Sequence, residues 1–224
     1  MSVLAHEGTH PILYGGYDFP RGSGHSPGYL ARPDQAGQFP ALLVLADGRL
    51  RAFHKDLCRR LARHGLAVLA VDLASATGYA VGHVGEAHGF LMSADVNWVI
   101  KQHLGIIGFG EAGGTAVVYA ADHPEVRAVS IISTVLPDDG TVASALERLA
   151  APVFGLHGAV DAPGSGVDDE RLLRGSFVTY SGVAGGFMDD GAVDYDTAAS
   201  ADAVRRLIDF FARFLPAPLI DNLG

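Results

Sequence analysis

Short apolar runs alternate with stretches of helical period along this chain. Residues 40–46, Pro-Ala-Leu-Leu-Val-Leu-Ala, form a run of strand length with no polar position. Residues 50–64 then change period. Leu50, Phe53, Leu57 and Leu61 fall on one helical face, Arg51, Lys55, Arg59 and Arg63 on the other, and Gly65 supplies the stop. The pattern predicts further strands at 66–71 (ending at Asp72), 104–109, 126–133, 152–156 and 176–180. It predicts further helices at 91–103, 113–123 and 197–215, the last carrying a stripe of Val204, Leu207, Ile208, Phe211, Phe214 and Leu215. Strands that are apolar throughout, rather than alternating, are buried on both faces, as in a parallel sheet covered by helices. The expected architecture is a single three-layer α/β domain, with residues 1–27 as an N-terminal extension and 216–224 as a tail. In such sheets ligands sit beyond the C-terminal strand ends. The residues to inspect therefore follow Ala46, Asp72, Phe109, Leu156 and Tyr180.

Composition narrows the function classes. With 49% hydrophobic and 18% charged residues among 224, the chain can bury a substantial core. A net charge of −9 argues against nucleic acid and against anionic lipid as partners. Cys58 is the single cysteine, which suits a reducing cytoplasm. The first ten residues lack the cationic start and apolar core of a signal peptide, and no apolar run reaches membrane-spanning length. A cytoplasmic protein acting on a small molecule, as monomer or homodimer, is the expectation.

The turn after the third strand has two readings. Gly108-x-Gly110-x-x-Gly113 matches the G-x-G-x-x-G fingerprint whose backbone cradles a dinucleotide pyrophosphate. That fingerprint normally opens a fold, whereas here two strands precede it, and Ser133 and Thr134 stand where an acid should meet the ribose. The second reading is a nucleophile elbow, also a sharp strand-to-helix turn flanked by small residues.

On that reading the chain resembles the dienelactone hydrolase family of α/β hydrolases, from about residue 28 to 215. Four ordered stretches carry the likeness: 40–46; 61–73, Leu-Ala-Arg-His-Gly-Leu-Ala-Val-Leu-Ala-Val-Asp-Leu; 105–113; and 151–161, Ala-Pro-Val-Phe-Gly-Leu-His-Gly-Ala-Val-Asp, with 180–187 after it. The resemblance implies the three-layer α/β-hydrolase fold, a small-molecule substrate and no cofactor or metal. It sets Gly110 at the nucleophile position, or Ala112 if the elbow is shifted by one step. It sets Asp161 at the acid position and Gly185, in Ala184-Gly185-Gly186-Phe187, at the position of the histidine. Ala46 takes the place of a glutamate in the first loop. Covalent catalysis needs a nucleophile beside a base. With glycine at both places, the implied chemistry is non-covalent: acid/base opening, closing, cyclisation or isomerisation of an apolar carbonyl, lactone or polyketide-like compound. A ligand-binding protein without catalysis, and a nicotinamide-dependent oxidoreductase, are the other readings.

Several residues could carry such chemistry. Asp161 could serve as a general base. Backbone N–H groups at Asp47, Gly48 and Glu111 could hold a carbonyl oxygen. Glu111 could reach the pocket floor or simply favour a helix N-terminus. His83, Glu86 and His88 fall on an expected loop near the pocket, where one of the two histidines could act as acid or base and His88 could contact the substrate. That spacing matches no metal pattern, and Gly85 argues against a helix that would align it. Gly185, Phe187, Tyr180 and Met188 could line the pocket or pack. His157 and Cys58 read as structural.

Overall fold

The computed structural model describes residues 8–73, 79–159 and 175–220. The elements run β1 (Ile12–Arg21), β2 (Gly24–Pro33), β3 (Phe39–Ala46), α1 (Ala52–Arg63), β4 (Ala67–Asp72), α2 (Val81–Met92), β5 (Val99–Phe109), α3 (Ala112–Ala121), β6 (Val126–Ile132), α4 (Gly140–Arg148), β7 (Val153–Gly158), β8 (Gly175–Tyr180) and α5 (Thr197–Phe214). The strands make one sheet in the order β1-β2-β4-β3-β5-β6-β7-β8. β1 and β2 form an antiparallel hairpin, β2 joins β4 antiparallel, and every later pairing is parallel.

The apolar runs explain the layering. β3 is buried at all its positions. Ala41, Leu43 and Leu45 point into a core shared with Val84 and Leu91 of α2, Ala116 and Val117 of α3, and Val142 of α4. Leu42 and Val44 point into the opposite core, with Leu57 and Leu61 of α1 and Leu207 and Phe211 of α5. Each such leucine contributes about 1.5–3 kcal/mol on removal from water, so a strand buried on both faces ties the two helical layers to the sheet. α1 stops where the sequence places its glycine. Gly65 adopts φ +87°, and the Leu66 N–H reaches back to the Leu61 carbonyl.

Four expectations are corrected. Residues 12–27 are not an extension: β1 and the start of β2 lie there, paired as a hairpin, and β2 goes on to pair with β4 through Gly28–Ala31. The tail also docks, with Leu219 bridging Gln38. The helix expected at 91–103 is instead the end of α2, a turn, and the first half of β5, whose Val99 aligns with Phe39. Pairing with the central strand overrides the local period there. Residues 81–90, expected as a loop, form most of α2 in spite of Gly82, Gly85 and Gly89. Its apolar face, Val84, Ala87 and Leu91, is fully buried, and tertiary packing outweighs poor helix propensity. α4 was not foreseen. Asp139 caps it, its side chain accepting from the Val142 N–H at 2.8 Å. Among the described residues, no helix is long and apolar enough to cross a membrane.

Candidate functional site

A cleft of about 820 Å³ opens at the C-terminal ends of β3 to β6. Asp47 and Gly48 follow β3, Tyr79 and Ala80 precede α2, Gly110 and Glu111 join β5 to α3, and Ser133, Val135 and Pro137 follow β6.

The β5–α3 turn forms its floor. Gly110 takes φ +53°, a left-handed conformation that reverses the chain within one residue. Its N–H donates to the Ile132 carbonyl at 2.9 Å, and its own carbonyl accepts from the Thr134 hydroxyl at 2.9 Å and the Gly113 N–H at 3.1 Å. The turn is therefore fixed from both sides by β6 and α3. Above it stands Asp47. Its Oδ2 accepts from the Glu111 N–H at 3.1 Å. A Cβ placed on Gly110 would lie 2.4 Å from that same oxygen. The Asp47 carboxylate thus occupies the volume that any side chain at position 110 would fill.

Ser133 is the second strained residue here, at φ +50° without the freedom of glycine. Its hydroxyl donates to the Gly185 carbonyl at 2.6 Å, and its N–H to the Leu156 carbonyl at 2.9 Å. Across the mouth, the Tyr79 hydroxyl donates to Asp139 Oδ2 at 2.7 Å. Burial, reinforced by that carboxylate, pushes the Tyr79 phenol up to about 12, so it remains a donor at neutral pH. The lining carries Asp47, Glu111 and Asp139 and no lysine, arginine or histidine among the described residues.

Of the sequence candidates, Asp47, Gly48, Gly110 and Glu111 come together here. Gly185 stands one hydrogen bond behind Ser133. Phe187 does not line the cleft: it is fully buried in the α1/α5 core, 5.1 Å from the Tyr180 ring. His88 is also elsewhere. It lies on α2 against Tyr119, near the start of β6 at the opposite end of the strands, because its segment is a helix and not a loop over the site. His83 is buried, stacked on Phe19 and within 3.0 Å of the Ser26 hydroxyl. Asp161 lies outside the described residues. Sequence reasoning passed over Tyr79, Ser133 and Asp139. The end of β6 obeys the same strand-end rule as the others and would have pointed to Ser133.

The dinucleotide reading does not fit this turn. The Gly110 and Gly113 N–H groups already serve backbone carbonyls, and the Glu111 N–H serves a carboxylate. A pyrophosphate would meet Asp47 head on, with like charges at contact.

Comparison with known proteins agrees with this fold. A candidate carboxymethylenebutenolidase of Yersinia pestis is 26% identical, with 92% of this chain and 90% of that protein covered. A second, from Methylorubrum extorquens, is 27% identical over 91% of this chain and 82% of its own. Among solved structures, the dienelactone hydrolase of Anabaena variabilis superposes with a TM-score of 0.74, covering 92% of this chain and all of that one at 20% identity. A dienelactone hydrolase candidate from Klebsiella pneumoniae reaches 0.77 at 22% identity, over 91% of this chain. The three-layer sheet is thus the α/β-hydrolase fold. The dienelactone hydrolase family profile matches residues 81–215, more than half of the sequence, and the chain belongs to the dienelactone hydrolase family.

Proposed function

We propose that the chain opens small neutral lactones or related esters by non-covalent acid/base catalysis at the Gly110 turn. The relatives' names point to a butenolide, a five-membered lactone, as the substrate class. One observation carries the reading: the Asp47 carboxylate stands where a nucleophilic side chain would be, on the N–H that follows the turn. Gly110 then occupies the nucleophile position of the family and Gly185 that of its histidine, so no acyl-enzyme forms.

In the reaction, the substrate carbonyl oxygen takes over the Glu111 N–H and frees Asp47. Asp47 removes a proton from a water as the water oxygen bonds to the carbonyl carbon. The oxyanion is held by backbone N–H groups. Collapse breaks the ring C–O bond, and the protonated Asp47 returns its proton to the leaving oxygen. Water is consumed and charge balances. The lining of carboxylates without cations favours a neutral lactone over one bearing its own carboxylate. On the resemblance to the family, Asp161 is the alternative base for the same proton, and the Asp161→Asn variant tests it.

The test is hydrolysis of an unsubstituted butenolide beside its carboxymethylene derivative, by wild type, Asp47→Asn and Asp161→Asn. We expect Asp47→Asn to lower kcat by about 10²-fold or more, the usual contribution of a positioned general base. We expect the neutral lactone to be the better substrate. Unchanged turnover in Asp47→Asn sinks the assignment. Saturable binding of the lactone without product identifies a ligand-binding protein instead.

A further inference from the structure

Far from the Gly110 turn, where β6 begins, three residues from two parts of the chain converge. His88 comes from α2, and His123 and Glu125 from the short link between α3 and β6. The link is compact: the Val126 N–H donates to the His123 carbonyl at 2.9 Å, with Pro124 between. Glu125 Oε1 lies 3.1 Å from His123 Nδ1 and 3.8 Å from His88 Nδ1. One donor atom from each residue lies within 4.8 Å of the others. The Tyr119 hydroxyl stands 2.8 Å from the same His88 nitrogen, and its ring stacks on His123 at 3.9 Å between centroids.

We propose that His88, His123 and Glu125 form a binding site for a zinc-class divalent cation, with the Tyr119 hydroxyl within reach of the fourth position. Ligands about 2.0–2.2 Å from a tetrahedral zinc stand roughly 3.4 Å apart. Two of the separations bracket that value, and the third is no more than 4.8 Å. Two imidazoles and a carboxylate suit zinc and its transition-metal neighbours, whereas magnesium and calcium want oxygen alone. The surroundings fit an ion. His88 is buried and presents its Nδ1 to the Glu125 carboxylate and the Tyr119 hydroxyl. His123 and Glu125 keep 37% and 30% of their side chains exposed, towards a cleft of about 810 Å³ that gives an ion its entry.

β6 spans seven residues, about 20 Å, between this cluster and Ser133 at the first cleft. The cation therefore does not take part in lactone opening. It ties α2 to the α3–β6 link, beside the contact that His88 already makes with Tyr119 of α3.

The experiment uses the untagged full chain, stripped with a chelator and titrated with zinc sulfate against a competing chromophoric chelator. The expected result is one equivalent bound per chain, and a thermal midpoint that rises with zinc concentration. His123→Ala and Glu125→Gln, both at partly exposed positions, are expected to weaken binding by about 10-fold or more while the metal-free midpoint stays close to wild type. Excess magnesium should not compete. Failure to bind one equivalent, or equal zinc affinity in His123→Ala, overturns the proposal. Neither result bears on Asp47, so the lactone reading stands or falls separately.

Discussion

At the scale of single residues, the site turns on one missing side chain. Gly110 is needed twice: its φ is +53°, and a Cβ there would meet Asp47 Oδ2 at 2.4 Å. An L-residue in that conformation costs roughly 1–2 kcal/mol. Asp47, being the end of a flexible side chain, would turn away and lose the Glu111 N–H, a charge-assisted bond worth about 1.5–3 kcal/mol. Gly48 provides the internal control. It also has a positive φ, +84°, but a Cβ there meets nothing within 4 Å. Gly110→Ala should therefore lose about 1–2 kcal/mol more stability than Gly48→Ala in urea unfolding, together with lactone turnover. Equal losses would show that the Asp47 contact contributes nothing. Much of this cluster was legible in the sequence, because Asp47, Gly48, Gly110 and Glu111 all follow strands that announce themselves as apolar runs. The contact between Asp47 and the turn was not. Two residues 63 positions apart meet only through the β3–β5 pairing. The left-handed serine at 133 was equally hidden, since no sequence signal marks a non-glycine residue for that conformation.

At the scale of elements, the legible parts were those whose period is set by burial. β3, β4, β6, β7, α1 and α5 fall within a few residues of their expected bounds. α2 was missed because local chemistry and tertiary packing disagree there. Gly82, Gly85 and Gly89 each weaken an isolated helix by about 0.5–1 kcal/mol relative to alanine. Only Gly85 has a packing partner, Tyr119, whose ring a Cβ would touch at 3.8 Å. Gly89 faces open space in a helical conformation. Gly89→Ala is expected to raise stability by about 0.5–1 kcal/mol, seen as a higher urea midpoint at unchanged m-value. A lower midpoint would mean that the glycine serves a purpose in the cleft beside it. The same helix moved His88 from the expected active-site loop to the opposite end of the strands, where it meets His123 and Glu125. One misassigned element thus changed the role of a residue, and it did so by more than the length of a strand.

At the scale of the molecule, buried histidines set how the fold responds to acid. His54, His83, His88 and His157 are all buried, and burial lowers the pKa of each. His54 is the clearest. Burial between Phe53 and Phe109, then the Arg51 guanidinium, bring it to about 4 from 6.5, with Asp189 opposing. Its Nδ1 accepts the Arg51 N–H at 3.1 Å at the start of α1, a bond that protonation would break. The native state therefore holds this ring neutral, while the unfolded chain takes up a proton below about pH 6.5. Unfolded molecules then bind more protons than native ones, so stability falls as pH drops from about 6.5 towards 4 and levels off below that. For His54 alone the loss is on the order of 3 kcal/mol, from the size of the shift. The chain's net charge of −9 works the other way, since acid relieves its self-repulsion, and a bare pH profile mixes the two. His54→Leu separates them. At pH 7.5 it should be less stable than wild type by about 1 kcal/mol, for the lost cap of the Arg51 N–H. Towards pH 4.5 the gap should close and reverse, because leucine has no proton to accept. Parallel pH profiles of the thermal midpoint for the two proteins would show that His54 is not held neutral in the native state.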